Sequence, residues 1–388
     1  MRAAVFALLL VSVLASAGAA LAQRPARMVE ARADHAVAAL EDGRLLVAGG
    51  RAAFEEGRPW APLASVELYD GDTWRPSAPL SVARAGLRLT RLTDGRVLAT
   101  GGVDGADALP VAELWDPRTE RWTAAAPMRE PRAHHVSVRL ADGRVLVAGG
   151  ASNAPAYGLA SGEIYDPATD LWLAVGPMSQ PRVGGFAAAL GDGRVLVSGG
   201  YSERRRADDL DLFDPTSGTW RALGPPLGAI EAVIALADGS ALVLGHARPS
   251  RYVADSRDAR AVIFDPDREA WSEAGALGED PWPRRPGLAL LPDGRVIVAG
   301  GMQWRFPSAR ARDQAYAEAC ERVHVPETAV RSVAIWSPRT GRWSRAPDLA
   351  QPRASAAAAL VPGTSAVLLT GGEDMRFDVI RRSTELVR

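Results

Sequence analysis

Apolar and polar positions alternate along the chain in a short unit that recurs. The unit opens with an acid, a glycine and an arginine, runs through four apolar residues and ends in two glycines: Asp42-Gly43-Arg44-Leu45-Leu46-Val47-Ala48-Gly49-Gly50. It returns as DGRVLATGG at 94–102, DGRVLVAGG at 142–150, DGRVLVSGG at 192–200 and DGRVIVAGG at 293–301, with degenerate copies DGSALVLGH at 238–246 and GTSAVLLTGG at 363–372. The closing positions 50, 102, 150, 200, 246, 301 and 372 are 52, 48, 50, 46, 55 and 71 residues apart, a period near 50. Asp-Gly between apolar runs predicts a tight type I′ hairpin, because glycine accepts φ > 0 without steric cost. The Val/Leu run predicts a buried strand. Gly-Gly ends it where backbones crowd or turn sharply.

Each unit has a second half. It reads ELYD at 67–70, ELWDP at 113–117, EIYDP at 163–167, DLFDP at 211–215, VIFDP at 262–266 and AIWSP at 334–338. The acid–apolar–aromatic–acid order alternates as a half-buried strand, and Asp-Pro turns the chain because Pro fixes φ. A tryptophan follows (Trp74, Trp122, Trp172, Trp220, Trp271, Trp343) and opens a further strand. Then come a Pro/Met-rich stretch and usually an arginine: Arg32, Arg84, Arg132, Arg182, Arg284 and Arg353. Four antiparallel strands per unit, here lettered a to d, make one propeller blade.

These residues resemble the kelch repeat family over 23–388. The double glycine, the aromatic-Asp pair and the spaced tryptophan carry the resemblance, and it implies an all-β, seven-bladed kelch-type β-propeller. Two units depart from the pattern. The fifth has Gly245-His246 in place of Gly-Gly and Gly228 in the arginine slot; the seventh lacks the tryptophan. The seventh unit supplies three strands, near 354–361, 365–371 and 383–388, and an open edge invites pairing with other chains. Counting back from Arg32 as from Arg132 to Trp122 reaches Ala22, so a strand within Gln23–Glu30 is expected to complete the last blade.

Antiparallel order puts the a–b and c–d turns on one face and the b–c and d–a connections on the other. The first set is short and repetitive. The second holds the arginine slot and the variable loops, where function concentrates on a rigid scaffold. Two of these loops are long: 247–260 and 302–331, the latter containing ARARDQAYAEACERV at 309–323, which predicts a short helix. Trp304, Phe306, Tyr316 and His324 are the residues of interest there; the alternative is that they pack the loop onto the propeller. The arginines allow two readings. They form an anion-binding mouth for an acidic sugar or acidic peptide, because Arg pairs bidentately with carboxylates, or they brace neighbouring blades through the acids at 67, 113, 163 or 211.

Composition narrows the class. The 388 residues carry a net charge of −1, 47% hydrophobic and 23% charged residues, an ordinary globular balance that argues against disorder and against nonspecific nucleic-acid binding. All 45 basic residues are arginines. At the N-terminus, Arg2 precedes an apolar run from Ala3 to Leu14 and the small-x-small site Ala20-Leu21-Ala22. This reads as a signal peptide over 1–22; a retained anchor helix is the rival reading. The expectation is a soluble periplasmic or secreted monomer, with no membrane insertion once the signal is removed. Cys320 is the single cysteine and cannot form an internal disulfide.

No catalytic set stands out. The five histidines (His35, His134, His135, His246 and His324) show no zinc-ligand spacing, and there is no GxSxG elbow or Walker loop, so neither a metal nor a cofactor is expected. Galactose oxidase-like relatives of the kelch repeat use a copper site with a tyrosine-linked cysteine, which this chain does not match. Bacterial kelch proteins that epimerise sialic acid resemble it in repeat and address, and that resemblance implies acid/base and arginine groups on the loop face. Glu231, His246 and Arg251 of the fifth unit offer such groups. Two functions are thus expected: noncatalytic binding of a protein or glycan on the loop face, with His246, Arg251, Trp304, Tyr316, His324 and the slot arginines as candidate contacts, or action on a sugar acid.

Overall fold

The computed structural model describes residues 27–387 except 53–60, 106, 154–157, 203–204, 208, 225, 247–258, 276–285, 305–326, 355, 375–378 and 381–382. It is an all-β propeller. Six sheets have four antiparallel strands in sequential order, and a seventh has three described strands. The innermost strands are Ala36–Ala39, Arg88–Arg91, Val136–Arg139, Phe186–Ala189, Ala229–Ala235, Gly287–Leu290 and Ala357–Leu360. Each packs beside the next, and Ala357–Leu360 returns to Ala36–Ala39, which closes the ring. The b strands, such as Leu45–Ala48 and Val145–Ala148, are wholly buried, as their unbroken apolar runs require. Successive blades share apolar cores: Ala36, Leu46 and Leu68 of the first meet Leu87, Val97 and Trp115 of the second.

The a–b hairpins differ from the type I′ expectation. Gly43 has φ 93°, but Asp42 is not among the residues of positive φ, and type I′ needs both. Leu40 N donates to Arg44 O at 2.8 Å and Gly43 N to Leu40 O at 3.4 Å, a three-residue loop with the glycine in the left-handed position. The aspartate instead clasps the arginine after the turn. Its Oδ1 accepts from Arg44 N at 3.1 Å and its Oδ2 from Arg44 Nε at 2.8 Å. The same clasp recurs at Asp94–Arg96 and Asp192–Arg194.

The c–d turns lie on the same face as these hairpins. Arg44 of the first blade donates to Pro117 O of the second blade's c–d turn at 3.3 Å and ion-pairs with Glu120. Arg194 does the same further round the ring, to Pro266 O and Glu269. On the opposite face, three b–c connections carry two-stranded extensions: Tyr201–Ser202 with Arg205–Arg206, Met302–Trp304 with Glu327–Ala329, and Glu373–Asp374 with Val379–Ile380. The long sixth-unit excursion therefore leaves the propeller on the b–c side, from a paired stem.

The strand expected within Gln23–Glu30 falls partly outside the described residues, and residues 27–30 form no strand. They run as a d–a connection does in other blades. Met28 is buried between first-blade Leu45 and Val47 and last-blade Val361 and Leu368, the position Met128 and Met178 hold elsewhere. The amides of Val29 and Glu30 donate to Glu67 at 2.7 and 3.2 Å, as those of Arg129 and Glu130 do to Glu163. Among the described residues there is no helix. The segment expected to be helical, 309–323, lies outside them.

Candidate functional site

The slot arginines turn inward. Arg32 donates Nη1 to Gly49 O at 2.8 Å and Ser65 O at 3.0 Å, and Nη2 to Glu67 Oε1 at 2.7 Å. Arg84 repeats this with Gly101 O, Val111 O and Glu113, and Arg132 with Gly149 O, Ser161 O and Glu163. Arg182 pairs with Asp211 and reaches Asp209 O at 2.8 Å; Arg353 reaches Gly371 O and Ser383 O. All five are fully buried. Of the two readings, the geometry favours bracing over an anion-binding mouth, because these guanidinium groups do not reach the surface. It corrects one detail: each fork ties strands b and c of its own blade, not a neighbour.

The neighbour is held through the backbone instead. Gly50 N donates to Arg84 O at 2.9 Å, Gly102 N to Arg132 O at 3.0 Å, Gly150 N to Arg182 O at 2.7 Å and Gly301 N to Arg353 O at 2.7 Å, and Gly372 N closes the circle on Arg32 O at 3.3 Å. The double glycine is thus a close backbone approach between blades.

Three residues after the arginine, His35 and His135 point back at the preceding blade. Their Nε2 atoms lie 2.8 Å from Thr370 Oγ1 and Thr100 Oγ1 respectively. Burial, reinforced by Arg32, lowers the pKa of His35 to about 3. Burial and then Arg88 hold His135 well below its ordinary value. Both are therefore neutral at pH 7.

A second run of backbone hydrogen bonds links the first four blades on this face. Gly86 N donates to Asp34 O at 2.9 Å, His134 N to Gly86 O at 2.8 Å and Gly184 N to His134 O at 2.8 Å. These four residues share a left-handed backbone, with φ of 52, 66, 54 and 74° for Asp34, Gly86, His134 and Gly184. The run carries an acid and an imidazole in two of the four blades, where the other two have only glycine. Asp34 accepts from Arg51 Nε at 2.8 Å.

The fifth blade breaks the pattern, as its sequence departs from the repeat. Glu231 occupies the position of His35 and His135, at a bulge where the register shifts between Ile230 and Ala232. His246 replaces the second glycine. Both are buried, and His246 Nε2 lies 3.7 Å from Glu231 Oε1. Of the other candidates, Trp304 sits in the stem strand opposite Glu327. Arg251, Arg284, Tyr316, His324 and Cys320 lie outside the described residues. Sequence reasoning misses Arg88 and Asp34. The signal for Arg88 is its departure from the other units, which place small or apolar residues at its position.

A model of the kelch motif matches residues 92–129 and 182–227. Over 93% of this chain and 96% of its own, the solved protein titled "Structure of YjhT" superposes with a TM-score of 0.56 at 15% identity. The chain is a β-propeller that carries kelch motifs. The likeness to YjhT concerns the fold alone, and no curated protein matches the chain. In this propeller, no group of three His, Cys, Asp or Glu suited to a metal ion occurs among the described residues. Nor, among them, is any helix long and apolar enough to cross a membrane.

Proposed function

We propose that this propeller is an exported recognition protein that binds a protein or glycan ligand, without catalysis, on the face carrying the b–c and d–a connections. The supporting observation is the one-sided placement of irregularity. The repeated arginines, aspartates and tryptophans are absorbed within or between blades. The features that break the repeat are the paired stems after Tyr201, Met302 and Glu373, the Glu231–His246 pair, Asp34 and His134. All of them gather on the loop face. Rigid propellers use such a face as a broad platform. Export to the periplasm or medium rests on the Arg2–Ala22 pattern, and the protein acts as a monomer. The test is a glycan array and a periplasmic pull-down with the protein and with a variant trimmed of 305–326. Binding that is lost on trimming supports the reading; equal binding removes the sixth-unit excursion from it.

A second reading has its own observation. Glu231 and His246 are a carboxylate and an imidazole held together beside the axis where the bracing arginine is missing. An acid/base pair of this kind suits proton transfer on a sugar acid. Epimerisation of a sugar acid by the protein, abolished by Glu231→Gln, would establish this reading over the first; turnover unaffected by that change would remove it.

A further inference from the structure

The residue of each innermost strand that faces the last residue of strand b before its closing glycine is small or apolar in six blades. Ala36 faces Ala48, Val136 faces Ala148, Phe186 faces Ser198 and Gly287 faces Ala299; Ala232 and Ala357 hold the same place. In the second blade it is Arg88, opposite Thr100. Leu87 and Leu89 turn into the core shared with the first blade. Arg88 lies on the other side of the strand with Thr90, whose Oγ1 is 2.6 Å from Ser137 Oγ of the third blade. This strand is the innermost of its blade and Arg88 is its first residue, so the half-buried side chain sits at the loop-face end of the ring's inner wall.

Its bonding differs from that of the slot arginines. Arg32, Arg84 and Arg132 each reach two carbonyls and an acid, whereas Arg88 makes one hydrogen bond, Nη1 to Leu87 O at 3.2 Å. Among the described residues no carboxylate stands within ion-pairing distance of it. Asp34 is the acid that acts on it from further off, and Arg51 already holds that carboxylate at 2.8 Å. Burial lowers the guanidinium's pKa, yet an arginine stays charged at neutral pH. A desolvated cation without a partner is destabilising, and six blades avoid it.

We propose that Arg88 is a ligand-binding residue of the ring's inner wall, where it receives the carboxylate of an acidic ligand bound on the loop face. The proposal rests on the reading of that face as the recognition surface and names the chemical group recognised. Arg88 is a single guanidinium with no carboxylate in ion-pairing distance among the described residues. That charge suits a monoanionic carboxylate better than a phosphate carrying close to two charges.

The test is calorimetric titration of the whole protein with glucuronate and with N-acetylglutamate, which separate a sugar source of the carboxylate from an amino-acid source, and with glucose and inorganic phosphate as controls. The variant is Arg88→Val, which copies the residue at this position in the third blade. One carboxylate probe is expected to bind the protein at least tenfold more tightly than the variant, and more tightly than glucose or phosphate. The variant should melt at the same temperature as the protein or higher. Equal carboxylate binding by both, no carboxylate binding by the protein, or a variant several degrees less stable would each overturn the proposal, the last by making Arg88 a brace. The loop-face reading fails separately: a ligand from the array retained equally by Arg88→Val leaves that reading standing and removes this one.

Discussion

The amide of Gly50 donates to the carbonyl of Arg84 at 2.9 Å, although the two residues belong to different blades. The adjoining Gly49 makes this approach possible. Its φ is +63°, and a Cβ there would lie 2.5 Å from the same Arg84 oxygen. Gly49→Ala should therefore cost about 2–4 kcal/mol, combining left-handed strain with a clash against backbone that cannot swing away. Gly43→Ala is the control: φ is +93° but nothing lies within 4 Å of the added carbon, so only about 1 kcal/mol is expected. Chemical denaturation of both variants checks the ordering, and equal losses would mean that blade contact does not set the requirement.

The buried arginine–acid pairs should behave as units. Arg132 and Glu163 are 3.0 Å apart and fully buried, and Glu163 also accepts from the amides of Arg129 and Glu130. Arg132→Met leaves an unpaired carboxylate and two carbonyls, Gly149 and Ser161, without their donor, and should cost about 3–5 kcal/mol. Adding Glu163→Gln removes the stranded charge while keeping an acceptor for one amide. The double variant should be more stable than Arg132→Met alone. A double-mutant cycle by urea unfolding measures the coupling, and simple additivity would show that charge pairing is not its source.

The blades are legible because every unit repeats the same local chemistry: a wholly apolar b strand, a glycine that permits the close approach, and a tryptophan that reaches the preceding blade, as Trp122 Nε1 does to Ala78 O at 3.0 Å. The hairpin type is not legible, because Asp42 has the turn preference of type I′ while in the fold its side chain binds Arg44. The slot arginines leave two readings open, since a sequence does not say which way a guanidinium fork turns. The acids at 67, 113, 163 and 211, each two residues before the aromatic of its unit, are the sign that it turns inward. Arg88 escapes for the opposite reason. It recurs nowhere, and a search for repeats discards what does not repeat. Glu231 and His246 are visible as departures from the pattern, but their 3.7 Å approach depends on the bulge at Ile230, which nothing local announces.

Stability should fall on mild acidification because of His35. Its folded pKa, about 3, lies below its ordinary 6.5, so the unfolded chain takes up the proton first. The contribution of the neutral ring is complete above pH 6.5 and is lost progressively as pH falls toward 3. Between pH 7 and 5 this residue alone should remove about 2 kcal/mol. His135, displaced in the same direction by burial and by Arg88, adds to it. Melting temperatures measured over that interval should decline, and His35→Asn, which keeps a polar group near Thr370 without a titrating ring, should flatten the decline. An unchanged slope in the variant would move the acid sensitivity elsewhere.

The junction of first and last blades should depend on the segment just before Arg32. Met28 is buried against Leu45, Val47 and Trp74 on one side and Val361 and Leu368 on the other, and Glu67 receives the amides of Val29 and Glu30 while it pairs with Arg32. Met28→Ala should cost about 2–5 kcal/mol through lost burial and a cavity between the blades. Deleting 23–31 should cost more, since it also strips two donors from a buried carboxylate. Melting temperatures of the two variants and of the intact protein check the order. A deletion variant that melts with the intact protein would show that the junction of first and last blades holds without this segment.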